Sequence, residues 1–98
     1  NIGRSMAYVF AREDRERIVS RFFFIKHSGL AEDPGTGSAT ANLGGWLLDR
    51  GETPCRYAIE QGAQTGRPCH IGLEVDTQGA IHVSGRVLEI GRGNITLP

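Results

Sequence analysis

The ten residues from Ala39 to Leu48, Ala-Thr-Ala-Asn-Leu-Gly-Gly-Trp-Leu-Leu, carry no charge, and Asp49, Arg50 and Gly51 end the run. No other stretch limits the possible folds as strongly. Ala39, Leu43, Trp46 and Leu47 recur at helical spacing, while Ala41 and Leu48 put apolar groups on other faces. A helix that is apolar almost all round has to be enclosed, so the rest of the chain is expected to wrap around it, with Trp46 in the core. Thr36 or Ser38 suits its N-cap, and Gly51 suits the position just past its end. Gly44 and Gly45 each lower helix propensity by about 1 kcal/mol. Close approach of neighbouring backbone is the expected compensation.

The wrapping material reads as β. Strands are expected over residues 5–11, 18–25, 55–61, 70–76, 81–84, 87–90 and 94–97. Within 70–76 the alternation is clean: Ile71, Leu73 and Val75 share one face, and His70, Gly72, Glu74 and Asp76 share the other. One face then meets a core and the other meets water, which also places His82 in solvent. The charged stretch 12–17 is a solvated turn that makes the first two strands a hairpin. The expected architecture is α+β: a curved, mostly antiparallel, barrel-like sheet wrapped around one central buried helix, as a single domain over residues 1–98.

Eleven basic and eleven acidic residues cancel, and 39% of the 98 residues are apolar. A balanced chain is no electrostatic magnet, so nucleic acid and anionic membrane surfaces are poor candidates for partners. No apolar run approaches the ~20 residues that span a bilayer. Residues 22–25 are hemmed in by Arg21 and Lys26. No signal-peptide pattern opens the chain, which suggests a cytoplasmic protein; the start at Asn1 suggests the later part of a longer one. Cys55 and Cys69 read as free thiols in such a compartment. With no C-x-x-C pair and no histidine at ligand spacing, no metal site is expected. His70 points away from its neighbour Cys69 on a strand, so the two do not form a catalytic pair.

The stretch Glu32-Asp33-Pro34-Gly35-Thr36-Gly37-Ser38-Ala39 carries the chemistry. It leads into the helix, whose first N–H groups have no intrahelical acceptors and sit at the positive end of the helix dipole. Small residues at Gly35, Gly37, Ser38 and Ala39 let a carboxylate or phosphate come close. No lysine follows the second glycine, which argues against a P-loop. Asp33 has two readings that spacing leaves open: a proton carrier, or a carboxylate that caps amides. Glu60 and Gln61 either hydrogen-bond loop backbone or face a cleft, and Arg67 pairs with an acidic residue or a ligand carboxylate.

These eight residues closely resemble the E-D-P-x-T-G-S-A signature of the phenazine-biosynthesis (PhzF-like) isomerase family. Ile59-Glu60-Gln61-Gly62 and Gly66-Arg67-Pro68 resemble its I-E-Q-G and G-R-P stretches, and Val83 to Val87 its V-x-G-R-V pattern. The likeness spans residues 18–90. It implies a fold like that of diaminopimelate epimerase, with two lobes, each a barrel-like sheet around a central helix, and an active site between them. A first-lobe glutamate is then the acid/base group, working without metal or organic cofactor on a small carboxylate-bearing metabolite. Asp33 becomes the second-lobe carboxylate that assists proton delivery. Ser38 grips the substrate carboxylate with the amides of Gly37 and Ala39, and Thr36 belongs to the same binding set. Lys26 stands where the family often has proline, and Arg21 is one place out of register. Lys26 and His27 thus fall near the approach to the loop, where they tune substrate choice or are simply exposed polar residues. The first-lobe motif is absent, so the chain is expected to be the C-terminal lobe, inactive alone. Its partner would be the missing lobe or a second copy. The alternative is a non-catalytic carboxylate-binding or assembly module.

Overall fold

The computed structural model describes residues 5–98. It contains six strands and one long helix: β1 (Met6–Arg12), β2 (Arg17–Lys26), β3 (Gly29–Asp33), α1 (Gly37–Asp49), β4 (Cys55–Gln61), β5 (Cys69–Val75) and β6 (Ile81–Gly85). A short 3-10 turn, Ala63–Thr65, joins β4 to β5. The strands form one sheet in the order β1-β2-β4-β5-β6. Every pairing is antiparallel except β2 with β4.

Strand β2 organises the sheet. One of its edges pairs along its length with β1, from Ile18 opposite Arg12 to Phe24 opposite Met6. The other edge is shared. Residues 17–20 pair with β4, and residues 22–26 pair with β3. Strands β3 and β4 therefore meet end to end along β2, which brings Asp33 beside Gln61. Strand β3 was not foreseen in the sequence, because the acidic stretch masked its pairing with Phe22, Phe23 and Phe24.

The core lies between the sheet and α1. Ile18, Leu43, Leu47, Tyr57, Ile59, Ile71 and Leu73 form one buried cluster. Burial of each large aliphatic among them stabilises the fold by about 1.5–3 kcal/mol. The alternation expected in 70–76 holds, with Ile71, Leu73 and Val75 all buried. Gly51 follows the C-cap Arg50 and takes φ +73°, as its placement past the helix end requires.

Two expectations about architecture are corrected. The sheet does not close into a barrel; β1 and β6 are free edges. The helix is not enclosed all round. It packs over β5 and β6 through Ala39, Thr40, Leu43, Gly44 and Leu47, while Trp46 and Leu48 are each 41% exposed. Six strands supply one concave face, enough to cover one side of a helix. Trp46 instead meets the ring of Phe10 edge-on at 5.4 Å. The guanidinium groups of Arg12 and Arg50 lie over Trp46, and Glu52 joins the two arginines at 2.5 and 2.7 Å.

The expected strands at 87–90 and 94–97 do not form. The chain runs without regular structure from residue 86 onward: these residues pair with no strand, and without ladder hydrogen bonds β-propensity alone does not make a strand. Their aliphatic side chains Val87, Leu88, Ile90, Ile95 and Leu97 are between 81% and 93% exposed. Among the described residues no helix is long and apolar enough to cross a membrane.

Candidate functional site

The loop between β3 and α1 is braced from within. The Asp33 carboxylate accepts the Gly35 N–H at 3.2 Å through Oδ1 and the Thr36 hydroxyl at 2.7 Å through Oδ2. Thr36 occupies the N-cap position but does not cap the helix with its side chain. Its hydroxyl is turned back onto Asp33 instead. Thr40, fully buried in the first turns of α1, donates its hydroxyl to the Thr36 carbonyl at 3.0 Å.

The loop is also braced from β4. The Gln61 side chain is 0% exposed. Its Oε1 accepts the Thr36 N–H at 3.2 Å, and its Nε2 donates to the Asp33 carbonyl and to Thr36 Oγ1, each at 2.9 Å. A buried amide with all its contacts on one loop is an anchor, since each such polar group left unmatched costs about 1–3 kcal/mol. Gly62 makes room for the loop. It sits at φ +80°, and a Cβ there would lie 2.5 Å from Pro34 Cα and 2.8 Å from the Pro34 carbonyl oxygen. Gly35 faces Cys69 in the same way, with Sγ 2.8 Å from where its Cβ would be. Cys55 and Cys69 are free, half-buried thiols.

What the brace presents is the start of α1. The N–H groups of Gly37, Ser38 and Ala39 have no acceptor among the described residues. The first turn carries no acidic residue to neutralise it. Gly37 and Ser38 are exposed and Ala39 is buried. Ser38, Ala39, Asn42 and Trp46 of α1 line a groove of about 410 Å³, together with Tyr8 and Phe10 of β1 and Phe22 of β2. The Tyr8 hydroxyl is buried there without a partner among the described residues. Asp33, Thr36 and Gly37 are not part of the groove wall. A larger depression, about 900 Å³ across Arg56, His70, Glu74 and His82, lies on the opposite face of the sheet and contains none of the loop residues.

Other candidates fall elsewhere. Lys26 ends β2, paired with Gly29, and His27 lies in the tight turn that follows; both are at the far end of β3 from the loop, so they do not stand at its approach. Arg21 makes a two-pronged contact with Glu32 at 2.7 and 3.0 Å and lies over the Phe23 ring. That contact holds the Glu32 carboxyl below its usual range. Glu60 is half-buried on β4 and points to the other face from Gln61. Arg67 is exposed, and its side chain makes no hydrogen bond or ion pair among the described residues. His82 is exposed and pairs with Asp76 at 3.1 Å. Among the described residues no cluster of three or more His, Cys, Asp or Glu side chains could hold a metal ion. Sequence reasoning did not foresee the aromatic residues of the groove, because Tyr8 and Phe10 read simply as strand formers. The Gln61-Gly62 pair was visible as a motif, but its contact with a loop 28 positions earlier was not.

Comparison with known proteins adds the decisive observation. Residues 3–93 match the family described as phenazine biosynthesis-like protein. The chain belongs to the phenazine biosynthesis-like family. It is also 40% identical over 97 residues to a protein of Pasteurella multocida (strain Pm70) named as an uncharacterized isomerase. That alignment covers 99% of the chain but 33% of the relative, so the chain spans about a third of the length of the protein it matches. The braced loop is thus the part of a phenazine biosynthesis-like sequence that carries the E-D-P-x-T-G-S-A residues.

Proposed function

We propose that this chain is the C-terminal lobe of a phenazine biosynthesis-like isomerase that moves a proton on a small carboxylate-bearing metabolite. The observation that carries the reading is the start of α1. Three N–H groups without acceptors among the described residues open the helix, two of them on Ser38 and Ala39, which line the groove, and the Asp33 carboxyl group is held by two hydrogen bonds in the loop before them. Family membership and a relative named as an isomerase support it.

In this reading the amides of Gly37 and Ala39, with the Ser38 hydroxyl, hold the substrate carboxylate at the positive end of the helix, and Thr36, whose N–H and hydroxyl are both engaged within the brace, shapes the loop behind them. The anchored acid keeps one of its C–H bonds in fixed register. A glutamate of the other lobe takes that proton and the electron pair shifts along the substrate. A proton returns at a different face or carbon, with Asp33 assisting delivery. The proton count balances, and the step needs no metal or organic cofactor. The chain alone lacks the first-lobe glutamate and is inactive; its partner is the first lobe.

The test uses the full-length protein in deuterium oxide with 3-butenoate and a set of L-amino acids as probes. Wash-in of solvent deuterium beside the carboxylate is expected, and Asp33→Asn lowers it at least about tenfold. Undiminished wash-in in that variant removes Asp33 from the mechanism. A second reading, a non-catalytic carboxylate-binding module, is favoured by one observation: both Asp33 oxygens are engaged inside the loop. Calorimetric binding of the same acids with no deuterium wash-in selects it.

A further inference from the structure

We infer that Cys69 is a positioning residue for the site loop: its sulfur is the stop on which Gly35 rests, and its size sets how far the turn carrying Asp33 stands from the sheet. The inference rests on the proposed role of Asp33 and adds a residue to it. It starts from the reason for glycine at position 35. Gly35 does not take a positive φ, unlike Gly51, Gly62, Gly66 and Gly79. Its backbone conformation is open to other residues, so space and not conformation calls for glycine there. One side chain takes up that space. A Cβ on Gly35 would lie 2.8 Å from Cys69 Sγ and 3.2 Å from Cys69 Cβ.

Cys69 is itself held in place. It opens β5 as the register partner of Gln61, and it packs against the core cluster. Gln61 supplies the opposing pull. Its side chain holds the Asp33 carbonyl on one side of Gly35, and the Thr36 N–H and hydroxyl on the other. The turn is thus drawn toward the sheet at its two ends and halted at Gly35 between them. Attraction alone would leave its height loose, and contact alone would let it lift; together they set one height. The Asp33 carboxylate follows that height, because Oδ1 accepts the Gly35 N–H and Oδ2 accepts the Thr36 hydroxyl. The first amides of α1 do not follow it, since Leu43, Gly44 and Leu47 pack the helix over β5 and β6. A change in the stop therefore moves the carboxyl group relative to the amides, and a misplacement of about 1 Å can cost about a hundredfold in rate. The sulfur acts by its volume, and no reaction at the thiol is involved.

Two arms test this. The first is a size series at position 69 in the full-length protein, with the probes named above and each variant checked by circular dichroism as folded at the assay temperature. Cys69→Ser keeps a stop of similar size, Cys69→Ala removes it, and Cys69→Val crowds Gly35. The expected kcat is within about twofold of the unaltered protein for serine, about threefold lower for alanine and about tenfold lower for valine, with KM within about twofold throughout. Equal kcat across the series, together with loss in Asp33→Asn, overturns this inference and leaves the proposed function standing. A loss confined to KM overturns it too, because the amides would then be what moved. Full wash-in in Asp33→Asn overturns the role of Asp33 itself. The second arm needs no turnover: urea denaturation of Gly35→Ala, Cys69→Ala and the double variant. Gly35→Ala is expected to lower the midpoint or to prevent folding, and adding Cys69→Ala to recover at least about half of the loss, since the methyl then has room. A double variant no more stable than Gly35→Ala overturns the contact between loop and sulfur, and the inference with it.

Discussion

At the scale of single residues, two glycines with the same backbone angle separate local strain from tertiary crowding. Gly62 and Gly66 both sit at φ +80°, but only Gly62 faces a neighbour, the Pro34 backbone. Gly66→Ala is expected to cost about 1–2 kcal/mol, the left-handed penalty alone. Gly62→Ala is expected to cost more, about 2–4 kcal/mol, because Pro34 must move as well. Urea denaturation of the two variants checks this, and equal losses would remove the crowding argument. Glu52 makes a second residue-scale prediction. Hydrogen bonds from Arg12 and then Arg50 hold its carboxyl well down, from 4.5 to about 2. A carboxyl lower in the folded state than in the unfolded one contributes stability that is complete above the unfolded value and fades as pH falls toward the folded one. The melting-temperature gap between the natural protein and Glu52→Gln should therefore be full at pH 6 and shrink between pH 4.5 and about 2. A constant gap across that range would show that the pair contributes through packing and not charge.

At the scale of elements, α1 divides its glycines. A Cβ on Gly44 would sit 2.9 Å from Ile81 Cγ2 and 3.2 Å from Leu73 Cδ1, whereas one on Gly45 would meet nothing within 4 Å. Gly45→Ala is expected to raise stability by about 0.5–1 kcal/mol, and Gly44→Ala to give back that gain or turn it into a loss. Thermal unfolding of the pair decides it. The sequence predicted close approach of neighbouring backbone at both positions; instead Gly44 meets the side chains of Ile81 and Leu73, and Gly45 meets nothing. The C-terminal end of the helix, the first hairpin and the inward face of β5 were legible because each follows from local chemistry: a glycine past the C-cap, a charged turn, a period of two; at the N-terminus Thr36 holds the cap position the sequence offered but gives its hydroxyl to Asp33. The site loop was legible as a motif at Asp33, Thr36, Gly37, Ser38 and Ala39. Of the two readings the sequence left for Gln61, hydrogen bonding to loop backbone holds; which loop it braces was not legible, since Gln61 reaches it only through the parallel pairing of β2 with β4. Trp46 read as core because an uncharged run does not reveal how much sheet is available to cover it. Strand β3 was hidden for a related reason: Glu32 is satisfied by Arg21 from the adjacent strand, a partner that spacing along the chain does not reveal.

At the scale of the whole molecule, the surface is unbalanced. Met6, Leu30, Val87, Leu88, Ile90, Ile95 and Leu97 are all exposed, five of them within residues 87–97, and exposed apolar surface that lies together drives association. In sedimentation the 98-residue protein is expected to self-associate as its concentration rises, and Leu88→Lys with Ile90→Lys to weaken that by about tenfold or more. A compact monomer at high concentration in both forms would count against it. The sheet also carries a constraint on how the molecule is assembled. Because β3 and β4 abut along one side of β2, the distance from Gln61 to the loop is set by the register of that pairing. A slip of two residues between β2 and β4 preserves every inward and outward side chain, yet carries Gln61 about 6.6 Å along the strand. The core would tolerate such an error and the loop would not. The alignment of one parallel seam thus acts as the ruler by which a distant turn is measured into place.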